Sequence, residues 1–164
     1  MTTARARSHY HHGDLESALI STARKLVKRD GAENLSLRQV SHDIGVSPSA
    51  AYHYFPDRTA LLSGLGFSLF EELADFQEKE ISKIPGHSAR AARERFRALG
   101  RTYFLWAKKE PHLFNLMFGD FCTLEKVDQK NREETRAFNN LTKCLDELYE
   151  FDLISETMRP YGEL

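Results

Sequence analysis

Three histidines fall within four positions, His9, His11 and His12, inside the run SHYHHGDL at residues 8–15. Imidazoles near one another raise the question of a metal site, because neutral ring nitrogens are good zinc ligands. A metal needs side chains held in converging geometry, and a short polar segment ahead of a helix start offers none. The run is broken by Tyr10 and passes straight into Gly13 and Asp14, unlike the contiguous histidines of a purification tag. The two cysteines, Cys122 and Cys144, lack CxxC spacing and read as buried free thiols in a reducing compartment. No HExxH, no phosphate-cradling glycine loop and no local Ser-His-Asp motif occurs, so neither an enzyme nor a resident cofactor or metal is expected.

The remaining groups with chemistry to offer cluster between residues 36 and 58, and helices must present them. In a chain of 164 residues, 41% apolar and 11% aromatic, a real core is affordable and an all-α fold is the expectation, since no stretch alternates apolar and polar residues. No run of about 18 apolar residues is present, so no membrane span is expected, and with no apolar signal core at the N-terminus a cytoplasmic protein is anticipated. Leu15, Ala18, Leu19, Thr22 and Leu26 form one helical face over about 14–29, with Asp14 as cap and Gly31 beyond the end. In LSLRQVSHDIGV, Ser36 and Gln39 have capping-box spacing and Leu35 with Val40 the spacing of a hydrophobic staple. Gly45 ends that helix after two turns. Ser47 then caps a third helix, to about Tyr54, with Pro48 at its first position, where a missing N–H costs nothing. Two short helices joined by a glycine-containing turn read as a helix-turn-helix, although a purely structural three-helix bundle fits the same pattern.

Pro56 and Asp57 restart the chain. A fourth helix follows to about Lys83, carrying Leu61, Leu65, Leu69, Leu73 and Phe76, with Gly64 and Gly66 predicting close packing or a bend. IPGHS at 84–88 is a break. A fifth helix from Ser88 carries Ala92, Phe96, Leu99, Tyr103 and Ala107, Pro111 starts a short sixth ending at Gly119, and a last one is predicted over about 125–152. The net charge of −1 conceals a tilt: residues 1–60 hold eight Lys and Arg against six Asp and Glu, whereas the rest hold 15 against 18. A mildly basic N-terminal end is compatible with a nucleic-acid face.

The stretch GAENLSLRQVSHDIGVSPSAAYHYFPDRTALL resembles the N-terminal DNA-binding domain of the TetR family of transcriptional regulators. The matching positions are Gly31, Ser36, Leu37, Val40, Gly45, Val46, Ser47, Tyr52, Tyr54, Phe55, Arg58 and Leu61, while Ser41 stands where the pattern usually has alanine. YHHGDL and, more weakly, GRTYFLWAKKEPHLFNLMFGD are similar to segments of one subgroup of that family. The resemblance implies an arm at 1–12, a helix-turn-helix domain at 13–56 and a helical effector-binding domain at 57–164. It also implies a homodimer on a double-stranded DNA operator, released by a small-molecule effector, with repression the commonest mode. Such chains usually continue for two further long helices. The expectation is therefore either a truncated product or a chain that dimerises differently, with a DNA-binding or interaction module without a working ligand sensor as the alternative function.

A recognition helix offers its N-terminal residues to the major groove while neighbouring groups hold phosphates. The candidate reading surface is Ser47, Pro48, Ser49, Ala50 and His53, with Ala50 suited to a thymine methyl. Arg38 and Gln39 lie in the first turn of the second helix, and the Arg38 fork matches guanine N7 and O6. Ser36, Tyr52 and Tyr54 offer hydroxyls to phosphates, and Arg58 looks like the family's basic phosphate contact. Phe55 is expected in the core, and Tyr52 serves core or surface equally well. Candidate effector-pocket residues are Phe67, Phe70, Tyr103, Phe104, Phe114, Met117, Phe118, Phe121 and Phe138. His112, Asn115 and Asn139 join Tyr103 as candidate polar groups within it. In this setting the histidine run, with Arg5 and Arg7 before it, becomes an arm that follows phosphates or enters the minor groove.

Overall fold

A computed structural model describes residues 12–119 and 135–155, the side chains of the first helix from Leu15 onward. Seven α-helices and one short 3-10 turn make up these residues: α1 His12–Asp30, the turn Ala32–Asn34, α2 Leu37–Ile44, α3 Pro48–Tyr54, α4 Arg58–Ile81, α5 Ala89–Lys109, α6 Pro111–Phe118 and α7 Arg136–Glu150. No strand occurs among them, so the fold is all-α as expected. Two compact units divide between Leu65 and Gly66, and the first turns of α4, from Arg58 to Leu65, go with the first unit.

The first unit is specified almost turn by turn. Ser36 accepts a hydrogen bond from the Gln39 amide (3.2 Å) and Ser47 one from the Ala50 amide (3.2 Å), each satisfying an amide that the helix itself leaves unpaired. Asp57 Oδ1 likewise accepts from the Ala60 amide (2.8 Å). Gly45 ends α2 at φ +73°, ψ 30°, a left-handed conformation that a β-carbon disfavours, and its amide bonds back to the carbonyl of His42. Leu19, Val27, Val40 and Leu61 are fully enclosed, joined by Leu35, Leu37, Ala51 and Phe55. Gly64 is the close approach that the sequence predicted: a β-carbon there would stand 3.0 Å from Phe55 Cε1. Ser41, at the usual alanine position, is buried without cost because its hydroxyl donates to the Leu37 carbonyl (2.7 Å).

The boundaries depart from expectation twice. α1 begins at His12, so Asp14 lies inside the helix rather than capping it. The last helix starts at Arg136 rather than near 125, because Thr135 is extended (φ −73°, ψ 142°) and its hydroxyl oxygen caps the Phe138 amide. Residues 120–134 lie outside the described part, and with them Phe121 and Cys122.

The second unit packs α5 against both α6 and α7, with Leu69, Leu99, Leu113, Met117 and Leu148 in its core. Two arginines tie it together. Arg95, 11% exposed, pairs with Glu147 on α7 and donates to the carbonyls of Ile84 (2.7 Å) and Gly86 (3.0 Å), fixing the 84–88 break against both helices. Arg136, the first residue of α7, reaches three carboxylates of α4: Glu71 (2.8 Å), Asp75 (2.6 Å) and Glu78 (3.2 Å). Cys144 is a buried free thiol, and burial pushes it up to about 11, away from the thiolate that reactivity requires.

Candidate functional site

α3 is short and turns nearly all of itself outward. Ala51 is its buried residue; Pro48, Ser49, Tyr52 and His53 are exposed, and Ala50 and Tyr54 are half-buried. Tyr52, 45% exposed, thus belongs to the surface, whereas Phe55 closes the core beneath. Ser47, Ser49, Ala50, Tyr52, His53 and Tyr54 line one open groove together with Leu15 of α1. The His53 and Tyr54 rings meet edge to face at 5.6 Å. At the start of α2, Ser36, Arg38 and Gln39 are all exposed while Leu37 and Val40 point inward. The capping oxygens of Ser36 and Ser47 are engaged with the amides of Gln39 and Ala50, so the donors these serines retain are their hydroxyl protons.

Arg58 has a structural duty that the sequence did not announce. Its Nε donates to the Leu35 carbonyl (3.0 Å) and its Nη2 to the Ala32 carbonyl (2.6 Å). The half-buried guanidinium therefore clamps the 3-10 turn ahead of α2 to the head of α4 and sets where Ser36 and Arg38 begin. No pattern in the sequence reveals this, because its partners are backbone carbonyls more than 20 residues away.

The candidate pocket residues separate. Phe70, Tyr103, Phe118 and Phe138 converge on a cavity of about 380 Å³ in the second unit, together with Phe96, Leu99 and Leu141. Phe67 (53% exposed) and Phe104 (66%) instead face outward, Met117 is fully enclosed in the core, and Phe114 packs behind the lining against Tyr103 and Phe118 at 5.0 and 4.8 Å. His112, Asn115 and Asn139 are exposed and do not line it. Burial raises the Tyr103 hydroxyl above its ordinary value. The polar residues that sequence reasoning missed here are Gln77 and Thr135, 3% and 2% exposed. The signal for Gln77 was available: it continues the buried α4 face of Phe70 and Leu73, where a glutamine is out of place unless it has work to do.

His9 and His11 lie outside the described residues. Among those described, no group of three His, Cys, Asp or Glu side chains is placed to hold a metal ion, and no helix is long and apolar enough to cross a membrane.

Residues 19–65 match the family of bacterial regulatory proteins described as the tetR family. HTH-type transcriptional regulators of Mycobacterium tuberculosis and Mycobacterium bovis are each 27% identical over 105 residues, covering 64% of this chain. The chain spans 44% of the length of those relatives. A solved structure of a protein of unknown function from Rhodococcus sp. RHA1 superposes with a TM-score of 0.71 at 30% identity, over 88% of this chain and 72% of that one. One from Shewanella sp. PV-4, described as a candidate tetR family regulator, shares the fold at a TM-score of 0.59 and 20% identity, over 82% of this chain and 70% of that one.

Proposed function

The chain belongs to the tetR family of bacterial regulatory proteins, and from that premise we propose that its first unit reads duplex DNA with α3 as half of a homodimer on a palindromic operator. The reading continues into the second unit: a small apolar effector occupies its cavity and releases the operator, which makes the protein a repressor. What carries the DNA reading is the outward face of α3. Seven residues of helix are capped at both ends and anchored by a single buried alanine, an arrangement with little packing purpose and much surface. Ser47, Ser49 and His53 then meet base edges, Arg38 reads a guanine, and the α2 N-terminus with the Tyr52 and Tyr54 hydroxyls receives phosphates. Arg58 acts one step back, by holding the loop from which α2 starts. The family and the names of the relatives support a regulator rather than an enzyme.

Selection from random duplexes followed by fluorescence anisotropy tests this reading. An inverted repeat should be recovered, and the logarithm of affinity should fall linearly with the logarithm of salt, with a slope of about −0.9 per phosphate neutralised. Recovery of no common sequence, together with binding that salt leaves unchanged, would overturn it.

A further inference from the structure

The cavity of the second unit has a chemistry that its volume alone does not convey. Among the described residues none that lines it is charged, and five are aromatic: Phe70, Phe96, Tyr103, Phe118 and Phe138. Phe118 stands edge-on to Phe70 at 5.4 Å and to Tyr103 at 4.9 Å, so ring edges and faces are both on offer to a flat guest. At interior packing density, about 0.74, a space of about 380 Å³ accepts up to roughly 280 Å³ of ligand, so a compound of two to three fused rings fits with room to spare.

One wall is polar, and its polarity has a direction. Asn140 Nδ2 donates to Gln77 Oε1 (3.3 Å) and to Glu78 Oε1 (3.5 Å), and that carboxylate also accepts from Arg136 Nη1 (3.2 Å). A carboxylate paired with arginine only accepts, so Asn140 must present its amide nitrogen on this side. The Gln77 group facing the same nitrogen must then be its oxygen. That fixes the Gln77 amide: its oxygen is engaged with Asn140, and its NH2 end has no acceptor among the described residues. The chain Arg136, Glu78, Asn140, Gln77 thus orients an amide donor on the wall of an aromatic cavity.

We propose that this cavity binds a neutral, planar aromatic compound carrying one hydrogen-bond acceptor, such as a ring carbonyl, which the Gln77 NH2 receives. The assignment rests on the reading of the second unit as a ligand-binding half, and it narrows the apolar effector to one class. An anion is disfavoured because no cation among the described residues lines the cavity to replace its lost water. A plain hydrocarbon would cover this donor and leave it unpaired.

The test titrates the full 164-residue chain with three probes of matched skeleton: acetylnaphthalene, its carbonyl-free counterpart ethylnaphthalene, and the anion naphthoate, read by calorimetry. Acetylnaphthalene should bind about tenfold more tightly than ethylnaphthalene, and naphthoate at least about tenfold more weakly than acetylnaphthalene. In Gln77→Met, which conserves volume, the preference for the acetyl probe should vanish while ethylnaphthalene binding persists. The wild-type comparison decides even where that variant does not fold. Equal affinity for the two neutral probes, tighter binding of naphthoate, or no saturable binding of any probe would overturn the proposal. Anisotropy of a bound duplex in the same titration keeps the two readings apart. Acetyl-selective binding that leaves DNA affinity unmoved would uphold the cavity assignment and contradict effector release.

Discussion

The two units are held together by opposite means. In the first, the decisive contacts are local: Ser36 to Gln39, Ser47 to Ala50 and Asp57 to Ala60 each span three residues, and Gly45 closes α2 against its own last turn. In the second, they are distant, with Arg95 reaching Glu147 and Arg136 reaching Glu71, Asp75 and Glu78 from more than 50 residues away. Local capping builds a rigid head whose polar side chains stay outside, as a reading surface requires. Distant ion pairs instead clamp the helices that surround the cavity.

That contrast can be broken first where it should matter most. Arg95→Ala removes a partly buried pair with Glu147 and strands the Ile84 and Gly86 carbonyls, so the second unit should lose about 3 kcal/mol. Urea unfolding combined with amide hydrogen exchange would check it, and the exchange gain should be confined to residues after Gly66. Equal loss of protection in α2 and α3 would mean the units do not melt separately.

Arg58→Ala is the corresponding lesion in the head and the exception to its local logic. Losing two charge-assisted bonds to backbone carbonyls should cost about 2 kcal/mol and raise exchange at Leu35–Gln39, even in the absence of DNA. Unchanged exchange would return Arg58 to a purely phosphate-facing role.

Ser47→Ala removes one cap and should cost about 1 kcal/mol, while Ser47→Gly costs a few tenths, measured by the same urea midpoints. A smaller and pH-dependent effect belongs to His87. Its hydrogen bond to Glu150 (2.9 Å), with Glu147 beside it, holds the imidazole above its ordinary 6.5. A raised folded-state value means that this contribution is complete below pH 6.5 and is lost as pH rises through the folded value. Glu147 behaves inversely: the Arg95 hydrogen bond holds it below 4.5, so its contribution is present above that and is lost as pH falls. His87→Gln should therefore flatten the alkaline side of the second unit's pH–stability curve and leave the head's unchanged; an unaltered alkaline side would exclude His87 as its source.

The same division explains what the sequence made legible. Helix starts at Ser36, Ser47 and Ser88, stops at Gly45 and Gly119, and the break at 84–88 all stand where local residue types put them. The Asp14 cap failed because α1 extends two residues further back, where no residue type forces a start. The partners of Arg58, Gln77 and Asn140 were illegible for a different reason: tertiary packing chooses them, and periodicity, which marks the buried face that Gln77 shares, does not encode them. Phe67 and Phe104 show the converse, since an aromatic at helical spacing announces neither which face it takes nor what it meets.

Arg38, exposed in the first turn of α2, is the residue that tests most directly whether the starts of α2 and α3 read DNA. Anisotropy titrations of Arg38→Ala against the selected operator and against variants at each of its guanines should show a loss of about 1–3 kcal/mol on the operator. Discrimination should be relaxed at one guanine position, with urea stability unchanged. Wild-type affinity and an unchanged base preference in Arg38→Ala would contradict the account.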